Sequence, residues 1–519
     1  MNDRQMKKYQ KTPMRLAVTI FLLLFQIILY AALAVFLLIR FPFISYIGYA
    51  ISFLVFLFIL KKNEASAYKV TWIIIVLIFP PVGGAIYLFF GKEHRARRKI
   101  ISHVKEHALI ARLLDNDGNL PFINEIPCSR TRSLFQYVRH TSSYHAYKNT
   151  SSKYYPFGEL MFEDMLKELE KAEKFIFLEY FIIKKSLMWT RLIEILERKA
   201  AEGVEVKIIV DDWGSALLFT RAYIRRLRQK NINVLGFNPM LPFLFAFMNN
   251  RDHRKIMVVD GHTAFVGGLN IADEYINKNK RLGTWKDTGI RLKGDGVWSF
   301  TLMFIEMWDT FCKTNDRIND HAVYRQLNVT ADQNPSDGLI LPYGDSPLDH
   351  DRLGENVYVE ILNQAKHYVY IFTPYLIISE KMIHALQMAA KRGVDVRITM
   401  PGIPDKRMVY RLSRSYYRSL LEAGVKIYEY TPGFLHAKSF ISDDEIAIVG
   451  TINLDYRSLY LHFECAVLLY NSETIHAIKD DTINTINEST EVLLEKRNRG
   501  LTAGGELLDA FLHLFAPLL

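Results

Sequence analysis

The chain has 519 residues, half of which are hydrophobic, and its 65 basic and 55 acidic residues give a net charge of +10. This length allows two or three domains, and the excess of Lys and Arg favours an anionic partner, either nucleic acid or an acidic membrane surface. The cysteines include no CxxC pair, which argues against a disulfide framework and a structural zinc site. They are Cys128, Cys312 and Cys465.

Three apolar segments occupy the amino-terminal region, at 16–39, 41–60 and 70–90. Each has about the 20 residues that a helix needs to cross the hydrocarbon core of a bilayer. The first segment is long for the core of a cleaved signal peptide, and no small-residue cleavage site follows it. We therefore predict a membrane anchor over residues 1–95, followed by a basic linker over 96–150. The partner is then expected to be the bilayer and not nucleic acid.

The topology of this anchor depends on the third segment, which is interrupted by Pro80, Pro81, Gly83 and Gly84. If the segment enters the bilayer and returns, fourteen flanking Lys and Arg residues lie on one side and one on the other. The positive-inside rule then places the amino terminus and the body of the protein in the cytoplasm. If the segment crosses fully, the division is eight against seven and no orientation is favoured. Both alternatives stay open.

Helical and strand-like patterns alternate from about residue 150, as in an α/β protein. The order of elements recurs in the second half. The stretch "AAEGVEVKIIV" of the first half matches "AAKRGVDVRIT" of the second. A repeat of this length predicts two homologous lobes, 151–330 and 331–519, each a mixed sheet flanked by helices. Together they would form a pseudo-twofold body with a cleft between the lobes. The end of the chain, 507–519, has helical spacing and is expected to pack on this body, with membrane contact as the alternative.

One polar pattern occurs once in each lobe. It places His, Lys, Asp, Gly and Asn at offsets of 0, 2, 7, 14 and 17 residues. Five matching positions are far more specific than an isolated His-x-Lys, so the pattern indicates a function. The first copy is His253, Lys255, Asp260, Gly267 and Asn270, and the second is His436, Lys438, Asp443, Gly450 and Asn453.

The residue types in this pattern suit a phosphodiester. In a strand, His and Lys two residues apart point to the same face, so facing lobes would bring both pairs to one point. Lysines and asparagines would hold the phosphoryl oxygens, one histidine would attack phosphorus, and the other would protonate the leaving alkoxide. The lysines supply the positive charge that a metal would bring, so no metal or other cofactor is expected. Asp260 and Asp443 fall at a turn, where a structural role is favoured over a catalytic one and both stay open.

At these residues the sequence resembles the phospholipase D superfamily, whose signature is a duplicated HxKxxxxD, and within it the bacterial cardiolipin synthases. "WKDTGIRLKG" and "GTINLDYRSLYLHFE" resemble catalytic blocks of that family, and "NEASAYKVTWIIIVLIFPPVGGAIYLFFG" resembles its membrane segment. The resemblance implies a multi-pass enzyme of the bacterial cell membrane that transfers a phosphatidyl group between two phosphatidylglycerols and releases glycerol. It also implies that His253 forms a phosphohistidine and that His436 is the acid/base. The segment 16–39 is extra to the two membrane segments usual in the family.

Other functions remain as alternatives. A transphosphatidylase or hydrolase acting on another phospholipid would use the same chemistry. A nuclease would share the pattern, but the apolar segments argue against it, and intact His, Lys and Asn sets in both lobes argue against an inactive membrane scaffold. The sequence carries no signal for the oligomeric state.

Aligning the lobes suggests further site residues. Asp287 and Glu464 begin corresponding strands, where a carboxylate would either hold a histidine ring by its second nitrogen or be an ordinary strand-end acid. Tyr180 and Tyr375, assigned to matching strand positions, are expected to line the cleft. The apolar stretch 238–250 is either a lip that admits acyl chains or a plain core segment.

Overall fold

The structure, a computed structural model, describes most of the chain from residue 42 onwards. The described residues are 42–62, 66–90, 97–115, 121–238, 250–312, 316–318, 320–325, 338–349, 351–495 and 503–516, with isolated positions between 21 and 40. Most of the apolar segment predicted at 16–39 therefore lies outside the described residues. So does nearly all of the apolar stretch 238–250.

The amino-terminal region forms helices that pack on one another. They are α1 (Pro42–Lys61), α2 (Ser66–Ile78), α3 (Pro80–Phe90) and α4 (Arg97–Asp115). The segment predicted at 70–90 is two helices, because the chain folds back at Pro80 and packs Trp72 edge-on against Tyr87, with ring centroids 5.2 Å apart. A Cβ at Gly83 would lie 2.5 Å from the carbonyl oxygen of Ile75, so only glycine permits this close approach. Within the described ranges, no helix is both long and apolar enough to cross a membrane.

The first lobe is a seven-stranded mixed sheet flanked by helices, as predicted. Its strand order is β1-β9-β7-β6-β2-β3-β4, in which β2, β3 and β4 are parallel and the other neighbours are antiparallel. Helix α5 (Ser129–Ser142) precedes this lobe in the chain but packs against the second lobe. The elements of the first lobe are β1 (Thr150–Tyr155), α6 (Gly158–Glu170), β2 (Phe175–Tyr180), α7 (Leu187–Ala201), β3 (Glu205–Asp211), α8 (Asp212–Ser215), α9 (Arg221–Arg228), β4 (Ile232–Phe237), β5 (Arg251–Asp252), β6 (Lys255–Val259), β7 (Thr263–Gly267), β8 (Thr284–Lys286), β9 (Gly289–Gly294) and α10 (Val297–Phe311).

The second lobe repeats this topology. Its strand order is β10-β19-β17-β16-β11-β13-β14-β20, which matches the first lobe position for position before the added edge strand β20. The elements are β10 (Leu339–Asp345), α11 (Leu353–Gln364), β11 (Tyr368–Phe372), β12 (Leu376–Ile377), α12 (Glu380–Lys391), β13 (Asp395–Pro401), α13 (Arg407–Ser415), α14 (Tyr417–Glu422), β14 (Lys426–Tyr430), β15 (Gly433–Leu435), β16 (Ser439–Ser442), β17 (Ile446–Gly450), β18 (Leu454–Asp455), α15 (Tyr456–Tyr460), β19 (His462–Tyr470), α16 (Thr474–Asn487), β20 (Ser489–Glu491) and α17 (Ala503–Phe515).

Matching local signals start and stop equivalent helices in the two lobes. Ser186 caps α7 by accepting the N–H of Trp189, and Ser379 caps α12 by accepting the N–H of Met382. Glycines with positive φ follow both helices, Gly203 at +96° and Gly393 at +92°. The duplication is therefore visible in the capping residues as well as in the sheets.

The two lobes share one hydrophobic core. Apolar side chains of both sheets, such as Val258 and Val467, pack in it around the wholly buried helix α10. Two short parallel ladders also cross between the lobes, β5 with β19 and β15 with β8. These ladders end immediately before His253 and His436, so the contact between the lobes also positions the duplicated pattern.

The carboxyl-terminal helix packs on the body, as predicted for 507–519. Arg411 of α13 forms an ion pair with Asp509 at 2.6 Å, and the Ser415 hydroxyl lies 2.8 Å from Nε2 of His513. On the other side of α17, the Thr71 hydroxyl donates to the carbonyl of Leu514 at 2.7 Å. Helix α17 thus joins the amino-terminal helices to the second lobe.

Candidate active site

Backbone pairing between the lobes holds both pattern histidines in place. The N–H of His253 donates to the carbonyl of Phe463 at 2.9 Å, and the N–H of His436 donates to the carbonyl of Lys286 at 2.7 Å. Both acceptors belong to the opposite lobe. Each histidine is therefore fixed by the strand that also carries the opposite lobe's candidate carboxylate.

Those carboxylates hold the histidine rings. Nδ1 of His253 lies 2.8 Å from Oε1 of Glu464, and Nδ1 of His436 lies 2.7 Å from Oδ2 of Asp287. Both carboxylates are wholly buried. A carboxylate at Nδ1 favours the tautomer with hydrogen on that nitrogen, which leaves the Nε2 lone pair available for chemistry. Of the two readings of Asp287 and Glu464, the geometry matches the ring-holding one, and it acts across the lobes.

The two lysines lie just beneath the histidines. Lys255 and Lys438 are each 1% exposed, and each Nζ donates to the carbonyl of the histidine two residues before it. Burial lowers the pKa of Lys255 to about 8 and that of Lys438 to about 7. Burial also lowers the pKa of His436 to about 4, so in the empty cleft this ring is neutral at physiological pH.

We expect the affinity for a phosphodiester to fall as the pH rises from about 7 to about 9. The ammonium form of each lysine attracts the anion, and it is lost as the pH passes the lowered pKa values of Lys438 and then Lys255. The measurement is competitive inhibition by glycerophosphoglycerol, whose own charge is constant over this range. An inhibition constant that stays unchanged up to pH 9 would show that neither lysine contributes its charge to anion binding.

The two asparagines border the same cleft as the histidines. Asn270 accepts the N–H of Ile182 at 3.0 Å and donates to the Tyr275 hydroxyl at 2.7 Å. Oδ1 of Asn453 is buried without a hydrogen-bond partner among the described residues. The structure thus brings both amides to the site, with Asn270 oriented by a network that the sequence did not predict.

Asp260 and Asp443 each accept hydrogen bonds from three consecutive backbone N–H groups. Asp260 accepts the backbone N–H groups of residues 173, 174 and 175, each at 2.8 Å. Asp443 makes the equivalent three bonds to residues 366, 367 and 368. Both have left-handed backbone conformations and lie beyond the far ends of strands β6 and β16, seven positions along the chain from the histidines. These contacts support the structural alternative, and the catalytic grouping of both aspartates stays a prediction.

Replacing Asp260 with asparagine is expected to lower the free energy of unfolding by about 2–3 kcal/mol, because bonds to an ionised acceptor become weaker bonds to a neutral one. Urea unfolding measures this loss, and Asp443→Asn should behave alike because its contacts are equivalent. Activity per folded molecule should be retained in both variants. A fully stable but inactive Asp260→Asn protein would restore the catalytic interpretation.

The assignment of the two tyrosines needs correction. Asp260 accepts the N–H of Phe175, and Asp443 accepts the N–H of Tyr368. Phe175 and Tyr368 are therefore equivalent positions in the two lobes. Counting five residues on from each, Tyr180 corresponds to Thr373. Tyr180 is 1% exposed in the core of the first lobe and does not reach the cleft. Tyr375 does line the cleft, and its hydroxyl donates to Asp405 at 2.7 Å.

The surroundings of the two histidines differ, which the sequence analysis did not predict. Aromatic rings pack around His436, with centroids between 5.4 and 5.8 Å from its own: Tyr275, Trp285 and Phe434. Beside His253 lie Phe181, at 5.1 Å, and His462, at 5.4 Å. His462 could have been found in the sequence, because it precedes Glu464 by two residues as Trp285 precedes Asp287.

The histidines and asparagines face a cleft of about 1260 Å³. Tyr68 and Trp72 of α2 and Ala516, which follows α17, also line this cleft. His253, His462 and Glu464 approach one another within 4.8 Å, close enough to share a metal ion. The cleft therefore combines an apolar wall, contributed in part by the amino-terminal helices, with polar groups able to transfer protons and attack phosphorus.

Two family models match the chain. Residues 165–286 and 358–484 match the model described as "Cardiolipin synthase, PLD-like domain", which places one matched block in each lobe. Residues 50–92 match the model "Phospholipase_D-nuclease N-terminal", which covers much of α1, α2 and α3.

Curated relatives match most of the chain. An uncharacterised protein of Streptococcus mutans is 45% identical over 89% of this chain and 99% of its own length. A cardiolipin synthase of Halalkalibacterium halodurans is 33% identical over 89% of this chain and 91% of its own. Cardiolipin synthase 2 of Bacillus anthracis is 33% identical over 90% of each chain.

Among solved structures, the fold is similar to that of a phosphatidylserine synthase from Haemophilus influenzae. The TM-score is 0.54 at 15% sequence identity, over 71% of this chain and 95% of that one. At this identity the likeness supports the two-lobed fold alone.

Proposed function

The chain belongs to the cardiolipin synthase family of phospholipase D-like proteins, and from this premise we propose that it joins two phosphatidylglycerols into cardiolipin and releases glycerol. The observation that carries the proposal is the pair of histidines in one cleft, each hydrogen-bonded at Nδ1 to a buried carboxylate of the opposite lobe. Two matched imidazoles on either side of one point suit a displacement at phosphorus in two steps.

In the first step, Nε2 of His253 attacks the phosphorus of one phosphatidylglycerol. The bond between phosphorus and the glycerol oxygen breaks, and His436 gives its proton to the departing alkoxide. His436 must be protonated for this, although burial holds its pKa low in the empty cleft. The bound phosphodiester anion raises that pKa again, since an opposite charge nearby favours the imidazolium. Substrate binding is therefore coupled to the uptake of one proton from solvent by His436.

In the second step, a glycerol hydroxyl of another phosphatidylglycerol attacks the phosphohistidine. His436 takes the proton of this hydroxyl, the bond between phosphorus and His253 breaks, and both histidines return to their starting states. Lys255 and Lys438 neutralise the phosphoryl oxygens in both steps. Because one phosphodiester is exchanged for another, the reaction should also run backwards when glycerol is abundant.

Transfer to a lipid requires that water be kept from the phosphohistidine. The part of the cleft wall formed by Tyr68, Trp72 and Ala516 supports this, because it covers the cleft on the side of the amino-terminal helices. Helix α1 exposes large apolar side chains, among them Phe53 and Leu54, which are 60% and 64% exposed. Exposed apolar surface of this kind supports attachment to a bilayer, so the proposal includes a multi-pass protein of the bacterial cell membrane with its body in the cytoplasm.

This topology can be tested with single cysteines introduced at Lys8 and Asn149. In the re-entrant arrangement, residues 70–90 enter the membrane and return at the fold-back at Pro80. Both sites should then be labelled from the cytoplasmic face. Membrane-impermeant maleimide, applied to intact cells and to inverted vesicles, measures the side of each site. Labelling of the two sites from opposite faces would contradict the re-entrant arrangement.

The proposed activity can be tested by expressing the chain in a bacterial host that lacks cardiolipin. Lipid extracts should contain cardiolipin when the unaltered chain is expressed and none when His253→Ala is expressed at equal abundance. A new phospholipid other than cardiolipin would favour a transphosphatidylase with another acceptor. Phosphatidic acid alone would favour a hydrolase.

A further inference from the structure

The pseudo-twofold symmetry of the site is broken directly beside the histidines. Trp285 and His462 occupy equivalent positions, two residues before the carboxylates that hold the rings. The Trp285 ring lies 5.5 Å from that of His436, and the His462 ring lies 5.4 Å from that of His253. One half of the site is therefore aromatic where the other half is basic.

The basic half is built from two arginines around His462. Nε of Arg457 lies 3.4 Å from Nε2 of His462, so the ring accepts from the guanidinium and orients it. Arg251 is 3% exposed, and its Nη1 donates to the carbonyl of Asn238 at 3.1 Å. All three side chains line the same cleft as the catalytic histidines. They form what is here called the basic half-site: Arg251, Arg457 and His462.

The carboxylates around these arginines do not fully compensate them. Arg251 is 3.5 Å from Asp211, whose pKa is raised by burial to about 7, so this acid is partly protonated near neutral pH. Asp455 is the acid that acts on Arg457, and its side chain also accepts the N–H of Ser458 at the start of α15. Burial, and after it the charge of Arg251, nonetheless lower the pKa of Arg457. Among the described residues, acids thus offset only part of the positive charge of the half-site.

The charges of the basic half-site determine whether its ligand is a cation or an anion. His253, His462 and Glu464 are close enough to share a metal ion, but a divalent cation there would meet the charges of Lys255, Arg251 and Arg457. Burial, Arg457 and Lys255 already lower the pKa of His462, which shows that a further positive charge at that ring is unfavourable. An anion is favoured, and arginine's planar donors match phosphate oxygens in pairs.

We propose that the basic half-site binds the phosphate of the second phosphatidylglycerol while the phosphate of the first is under attack between the two histidines. Arg251 and Arg457 contact that phosphate, and His462 is a positioning residue that holds the Arg457 guanidinium. This inference rests on the proposed function. The two phosphates of cardiolipin are joined by a single glycerol, so the second phosphate must bind next to the catalytic centre, as the half-site does.

Two reactions of the same protein separate this role from catalysis. Cardiolipin formation requires two lipid phosphates at once, whereas exchange of radiolabelled glycerol into phosphatidylglycerol requires only one. In Arg457→Gln, cardiolipin formation should fall by about ten- to a hundredfold, the usual effect of losing a bond between charged groups. The loss should appear as a higher KM for phosphatidylglycerol, while glycerol exchange changes by less than about twofold. Arg457→Lys keeps the charge but loses the paired donors. Its rate of cardiolipin formation should lie between those of the unaltered protein and Arg457→Gln.

Lys278→Gln is the matched control, because Lys278 is an exposed cation at the rim of the same cleft on the aromatic side. It should leave both reactions unchanged. His462→Gln should reproduce a milder form of the Arg457→Gln effect, again confined to cardiolipin formation. Parallel loss of both reactions in Arg457→Gln, or loss of neither, would overturn the second phosphate site. If the unaltered protein exchanges glycerol but forms no cardiolipin, the proposed function itself fails and the second site fails with it.

Discussion

Replacing His253 with alanine is expected to lower cardiolipin formation by at least about 10⁴-fold, and replacing His436 should do the same. The two histidines have different chemical roles, nucleophile and acid/base, so neither can substitute for the other although the lobes that carry them are related by the pseudo-twofold axis. Both variants should remain folded. The interlobe ladders use backbone groups of these residues, which alanine retains. Circular dichroism and thermal unfolding provide the control for folding.

The two variants should differ in a covalent-labelling experiment. When His436→Ala is mixed with a radiolabelled phosphatidyl ester of 4-nitrophenol, whose leaving group needs no acid, and quenched in base, in which phosphohistidine is stable, label should accumulate on His253, because only the second step then requires the missing base. His253→Ala should carry no label. Near-normal turnover by either variant would contradict the two-lobe mechanism. Label on His436 in the His253→Ala protein would reverse the assigned roles.

The second large effect is expected for the carboxylates that hold the rings. In Glu464→Gln the amide can donate a hydrogen to Nδ1 of His253, which favours hydrogen on Nε2 and removes the attacking lone pair. We expect cardiolipin formation to fall by about 10²–10⁴-fold, and Asp287→Asn should act on His436 in the same way. Glu170→Gln, which changes an exposed acid paired with Arg198, is the control and should have no effect.

A positioning role can be distinguished from a purely structural one by the pH dependence. Glu464→Gln should shift the pH profile of glycerol exchange, because the basicity of His253 depends on the carboxylate at its second nitrogen. Glu464→Asp, which keeps the charge, should restore part of the activity. Loss of activity with an unchanged pH profile and no recovery in Glu464→Asp would mean that Glu464 acts only through the fold.

The duplicated architecture could be predicted because the order of helices and strands repeats over the length of a whole lobe. Equivalent strands, glycines and capping serines recur in the same order, and the paired lobes follow from that order. The crossing of the carboxylates to the opposite histidines could not be predicted. It depends on ladders β5–β19 and β15–β8, in which each pairing involves only two or three residues and carries no periodic signal.

The tyrosine assignment was wrong because it matched residues by type. The bonds from Asp260 and Asp443 set the true register, in which Tyr180 corresponds to Thr373. The same bonds explain why both aspartates recur in the pattern. They close a turn at one end of a strand, and the histidine lies just before the other end of that strand, so the pattern combines turn-forming and candidate catalytic residues.

The amino-terminal apolar residues show a further limit of sequence patterns. Composition alone treats 70–90 as one segment, whereas the packing of Gly83 against Ile75 and of Trp72 against Tyr87 makes it a pair of helices. The proline pair indicates an interruption in the sequence. The angle at that interruption depends on tertiary contacts with α1, such as the bond from the Gly84 N–H to the Ser52 hydroxyl.

The most direct test of the central claim is the product formed by the purified protein from vesicles of labelled phosphatidylglycerol, with a metal chelator and no nucleotide. Cardiolipin and glycerol should form in equal amounts, and added glycerol should reverse the reaction. Phosphatidic acid as the sole product, or an absolute need for a cytidine-nucleotide lipid donor, would contradict the account.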